Sequence, residues 1–157
     1  MTIKFQTASI GKADEEGAVE MNRWRVVFIV LSLCVSAFAQ GGAYTPRPGT
    51  AERKAIMDGL RAPVEKELKK SVVFKADHLK VQDGWAFLRG VPQQPGGKAM
   101  DYRGTPYQEA VRSGAFDDNI FALLRIEGDK WKVVTYVIGA TDVPYIGWDE
   151  EFDTPRH

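Results

Sequence analysis

Six side chains of this sequence could together form a recognition surface: His78, Trp85, Phe87, Arg89, Phe121 and Tyr136. Trp85, Phe87 and Arg89 are spaced by two, so in a strand they share one face. Large rings beside an imidazole and a guanidinium make the floor of a small-molecule or peptide pocket, where a few polar groups orient an otherwise apolar contact. A second chemistry, proton transfer, would need Tyr136 beside a carboxylate such as Asp101 or Asp142. Asp142, within Thr141-Asp142-Val143-Pro144, reads more simply as a turn residue whose carboxylate accepts from nearby backbone N–H groups.

Other chemistries lack their residues. His78 is the one histidine inside the folding stretch, and Asp77 beside it would point to the opposite face, which makes a poor dyad. One histidine with scattered carboxylates offers no metal-ligand spacing, so no metal and no cofactor is expected. Ser71 and Ser113 lack a nucleophile elbow, and Gly96-Gly97 and Gly139-Ala140 lack the glycine spacing and lysine of a phosphate loop. The 21 basic and 21 acidic residues balance. That balance argues against a nucleic-acid partner, which calls for a basic face.

The elements that would position the six residues are legible. Thr50 is placed to cap a helix in which Ile56, Leu60, Val64 and Leu68 recur every four residues as one apolar stripe. Pro63 predicts a kink, or a second short helix beginning there. Val72–Val81 and Trp85–Val91 flank Asp83-Gly84, which predicts a hairpin with Val81 opposite Ala86 and Leu79 opposite Leu88 on one face. Gln82 with Trp85, Lys80 with Phe87 and His78 with Arg89 fall on the other. A second hairpin turns at Gly128-Asp129. Uninterrupted pairing from there puts Ile120, Ala122, Leu124 and Ile126 on the core face opposite Val137, Thr135, Val133 and Trp131. Phe121, Leu123, Val134 and Tyr136 then share the reverse face. Between the hairpins, Thr105-Pro106 predicts the start of a short helix through Arg112.

A kinked N-terminal helix packed on a four-stranded antiparallel sheet made of two hairpins is an α+β fold. This order, carried by Thr50–Lys70 and the four strands, resembles the cystatin-like superfamily, which includes the nuclear-transport-factor-like proteins. More closely, Asp83-Gly84-Trp85-Ala86-Phe87, Pro92-Gln93-Gln94-Pro95-Gly96-Gly97 and the stretches Trp131–Val134 and Gly139–Pro144 resemble a family of uncharacterised exported bacterial proteins. The first resemblance implies two activities: isomerisation or dehydration by a buried carboxylate with a tyrosine in a cone-shaped cavity, and inhibition of an extracellular hydrolase through hairpin tips. For the latter, Gln82-Asp83-Gly84-Trp85 only loosely matches the glutamine-glycine signature of cystatins.

The N-terminal part addresses location. Arg23 and Arg25, the apolar run Val26–Val35 and the small-x-small Ala37-Phe38-Ala39 have the pattern of a secretory signal peptide over residues 21–39, cleaved before Gln40. Met21 is then the expected start, residues 1–20 a non-native extension, residues 40–49 a flexible or extended leader, and residues 50–157 one domain. The apolar run is shorter than the roughly 20 residues of a spanning helix. Cleavage would remove Cys34, the only cysteine, and leave the charge balanced. The expected destination is the periplasm or the medium, with no membrane contact after cleavage. The aromatic face would bind a small ligand or a protein partner, would be covered by the chain's own Tyr145, Ile146, Trp148 and Phe152, or would join a homodimer.

Overall fold

The computed structural model describes residues 42–155, which belong to the second of the two units into which the chain divides, Met1–Ala39 and Gln40–His157. The expected extension, signal peptide and cleavage point lie outside the described residues. Helix α1 (Ala51–Leu68) is followed by strands β1 (Val73–Gln82) and β2 (Trp85–Gln93), helix α2 (Gln108–Ser113), strands β3 (Ile120–Glu127) and β4 (Lys130–Ile138), and the short helix α3 (Trp148–Glu151). The strands form one antiparallel sheet in the order β1-β2-β3-β4, with α1 packed on one face.

Helix α1 starts where the Thr50 side chain accepts from the Arg53 N–H at 3.3 Å, and ends at Lys69 in the left-handed region. It runs unbroken through Pro63, so no second helix begins there. The helix lies close against β4: a Cβ on Gly59 would stand 2.5 Å from the Trp131 carbonyl oxygen. Its apolar stripe is sealed, with Ile56, Leu60, Val64 and Leu68 at 0–1% exposure against Leu79, Val81, Ala86, Leu88, Ile120, Ala122 and Leu124. Before the helix, Tyr44 exchanges two backbone hydrogen bonds with Val81, which ties the leader to the outer edge of β1.

Both hairpins turn as their sequences dictate. Asp83 and Gly84 both have positive φ, the geometry of a two-residue type I′ turn, and Gly128 takes positive φ at the first position of the second turn. The first register is the expected one from Gln82↔Trp85 to His78↔Arg89. A bulge then interrupts β1 between Ala76 and His78, leaving Asp77 as the extra residue. A second bulge interrupts the β3–β4 ladder, where Leu124 pairs with Val133 but Leu123 pairs with Thr135. Val134 is the extra residue, and everything beyond it in β4 changes face.

That bulge corrects the expected placement of Tyr136. It pairs with Ala122 rather than lying beside Phe121, and packs on the helix side of the sheet, as does Ile138. Val137 moves to the outer face with Phe121 and Leu123. The segment between the hairpins also joins the helix side: Met100 and Tyr102 are buried in the main core, and the Tyr102 ring packs edge to face with both Tyr107 and Phe116. Helix α2 begins at Gln108, later than Thr105-Pro106 predicts. The buried Thr105 hydroxyl instead donates to the Tyr102 carbonyl at 2.7 Å and accepts from the Tyr107 N–H, stabilising a turn ahead of the helix.

Candidate functional site

The outer face of the sheet carries the candidate site. Alternation along β2 sends Ala86, Leu88 and Gly90 to the core and Trp85, Phe87 and Arg89 outward. Their β1 partners Gln82, Lys80 and His78 stand on the same face. From β3 come Phe121 and Leu123. The C-terminal segment folds over part of this surface: Trp148 is buried against Phe121 and Leu123, and the Tyr145 ring lies 5.3 Å from Phe121 and 5.2 Å from Phe87.

The tail covers part of the face and leaves a groove beside it. Between it and strands β1 and β2 runs a half-enclosed groove of about 630 Å³, with Phe87, Leu123, Tyr145 and Trp148 as its apolar surface. Its polar groups include His78, Lys80 and Arg89 from the hairpin, Asp149 from α3 and Thr154 beyond it. A small recess of about 20 Å³ adjoins it, lined by Lys80, Gln82, Trp85, Phe87 and Leu123.

The six expected residues fall in four places. His78, Phe87 and Arg89 line the groove, with His78 and Phe87 in edge-to-face contact at 5.9 Å. Trp85 lines the recess, its ring covered by the Arg125 guanidinium at 5.0 Å. Phe121 is 7% exposed and sealed beneath the tail, and Tyr136 is on the opposite face. Lys80, Leu123, Tyr145 and Trp148 complete the groove. The hairpin register already placed Lys80 beside Phe87, which was the signal available for it. No strand period reports on the tail residues.

Asp77 also departs from expectation. As the extra residue of the bulge it escapes strict alternation, and its Oδ2 accepts a hydrogen bond from Arg89 Nε at 2.9 Å and forms an ion-pair contact with Nη2 at 2.8 Å. The bulge depends on Gly90 across the ladder, where a Cβ would stand 2.5 Å from the Lys75 carbonyl oxygen.

On the helix side, the Glu67 carboxylate accepts hydrogen bonds from both the Tyr107 and Tyr136 hydroxyls, a cluster that sequence reasoning missed because it joins α1, the inter-hairpin segment and β4. Burial, then the bond to Glu67, pushes the Tyr136 hydroxyl up to about 12, and the same causes raise Tyr107. The expected proton-transfer partners are elsewhere: Asp142 is exposed, and Asp101 accepts from the Arg103 guanidinium at 2.9 and 3.0 Å with Lys70 nearby. The Arg103 bonds hold Asp101 well below the usual carboxylate range. The tip expected of an inhibitor is also tied down, since the Gly84 carbonyl accepts from the Ile126 N–H of the neighbouring hairpin at 2.8 Å.

Among the described residues no group of three or more His, Cys, Asp or Glu side chains could hold a metal ion, and no helix is long and apolar enough to cross a membrane. No protein-family model, curated protein or solved structure matches the chain.

Proposed function

We propose that this is a small binding protein whose ligand occupies the outer-face groove. The observation that carries the reading is incomplete closure: the chain's own tail buries Phe121 but leaves Phe87, with an edge of Leu123, on the wall of a 630 Å³ groove beside Lys80 and Arg89. Pockets of roughly 300–1,000 Å³, mostly apolar with a few placed polar groups, are the size and chemistry of small-molecule sites. The pattern of Arg23, Arg25, Val26–Val35 and Ala37-Phe38-Ala39 supports export, and with it a ligand met in the periplasm or the medium. The resemblance to exported bacterial proteins points the same way.

A thermal-shift screen of the full chain against periplasmic metabolites and cell-wall fragments tests this reading. A ligand at 100 times its Kd adds about 2.7 kcal/mol. Stabilisation that disappears in a folded Phe87→Ala variant and survives in Tyr136→Phe supports the groove. Stabilisation lost only with Tyr136 moves the site to the helix side and overturns it.

A specific observation favours a second reading, a protein partner or a second copy. Ile146, next in the chain to the groove-lining Tyr145, is 79% exposed, with Val143 and Tyr145 also exposed in the same turn. Apolar loop tips of this kind serve as anchors in partner surfaces. Concentration-dependent sedimentation that Ile146→Ser abolishes would support it.

A further inference from the structure

Resting on the groove reading above, we infer that the ligand is an amphiphilic organic carboxylate with a single negative charge, its apolar body along Phe87, Leu123 and Trp148 and its carboxylate at Lys80. Lys80 lies at the junction of the groove and the recess and is half-buried. Its ammonium makes no ion pair or hydrogen bond with any described residue. A lysine with no counter-ion in the protein, set against an apolar groove, offers its charge to an arriving anion. Around it in the recess stand the Gln82 amide and the Trp85 indole, both capable of donating a hydrogen bond and neither making one with the described residues.

The other charges of the groove set the ligand's charge at one. Arg89 is already paired with Asp77 through one hydrogen bond and an ion-pair contact, so Lys80 is the cation left over on the hairpin wall. Asp149 lines the groove from the α3 wall but does not border the recess. A second negative charge along the groove would meet it. A cationic ligand with its head at the recess would meet Lys80. The Phe87 ring packs edge to face against both Tyr145 and Trp148, so its own face is shared with neighbouring rings, which suits an apolar body laid along them better than an ammonium caged by ring faces.

Titration calorimetry of the full chain with octanoate, 1-octanol and octylammonium tests the inference, because the three probes share one alkyl body and differ in charge. Octanoate is expected to bind about tenfold tighter than octanol, and octylammonium weakest. Lys80→Met should bring octanoate down to the level of octanol, whereas Lys80→Arg should keep the preference. The Arg variant guards against a fold defect at this half-buried position. Octanol binding as tightly as octanoate, or a preference that survives Lys80→Met, overturns the carboxylate assignment while leaving the groove as a binding site. Failure of all three probes to bind overturns both.

Discussion

The two faces of the sheet are made by the same four strands, yet one is sealed and the other is left partly open. On the helix side, α1 lays a stripe of period four along the sheet, and the inter-hairpin segment closes the margin with Met100 and Tyr102. On the outer side, closure falls to a short tail that contributes one buried ring, Trp148, and leaves a groove alongside it. Strand β2 carries the contrast within a few residues: Ala86 and Leu88 at 0% exposure point inward, while Trp85, Phe87 and Arg89 point out. A regular helix supplies a repeating surface that matches the sheet, and an irregular tail does not. Stability therefore concentrates on one face, and the other is available for recognition.

Neighbouring residues of β3 offer the strongest way to break this comparison. Leu124 is fully buried under α1, and Leu123, next in the chain, lies under the tail at 4% exposure. Leu124→Ala should cost about 2–5 kcal/mol, because the packed helix cannot settle into the cavity. Leu123→Ala should cost less, since a four-residue helix on a turn can settle into the space. Urea melts check both. Equal losses would mean that the tail is as rigid a cover as α1. A smaller effect, about 1–3 kcal/mol, is expected for Gly59→Ala, whose new methyl would meet the Trp131 carbonyl. The loss should appear even though alanine favours a helix over glycine by about 1 kcal/mol.

The sealed face was the more legible in sequence, and the reason is periodicity. Ile56, Leu60, Val64 and Leu68 announce themselves by spacing, and Asp83-Gly84 fixes a register that holds as far as His78↔Arg89. The failures begin at the bulges. Val133-Val134 and Tyr136-Val137-Ile138 form a nearly continuous apolar run, so either face would accept either set of side chains. Nothing in that run marks where Val134 adds its extra residue, and one misplaced residue carried Tyr136 to the wrong face. The groove was half legible: alternation located Phe87, Arg89 and His78, but the walls added by Tyr145 and Trp148 depend on where a nonperiodic tail returns. The Glu67 cluster was illegible, since its three members come from three segments distant in sequence.

That cluster sharpens the comparison through pH. In the unfolded chain Tyr136 loses its proton near 10, whereas in the fold it holds the proton up to about 12. The fold therefore binds the proton more tightly, and the stability this contributes is complete below about pH 10 and declines as the pH rises towards 12. Tyr44, raised to about 12 by desolvation and by its hydrogen bond to Glu52, adds less to the same decline, because it is 46% exposed and solvent screens it. Tyr136→Phe should lose about 1 kcal/mol at neutral pH and weaken the alkaline decline. Urea midpoints at about pH 9 and about pH 11, for both proteins, measure it. An identical alkaline slope in the variant would show that the hydroxyl's bond to Glu67 contributes nothing to the seal.

The smallest effect on stability is expected on the open face, at Asp77 and Arg89. Their side chains are 50% and 48% exposed, so water and salt screen the pair, and breaking it should cost about 0.2–1 kcal/mol. The consequence for binding is larger. Asp77 sits on the bulge and cancels the guanidinium that would otherwise be the second cation of the groove wall. Asp77→Asn should leave the melting midpoint nearly unchanged and raise octanoate affinity several-fold at low salt, with the gain shrinking as salt is added. Octanol, which has no charge to respond, should show no gain. If octanoate shows none either, the carboxylate is held by Lys80 alone, and the Asp77 bulge shapes the strand without tuning the charge of the groove.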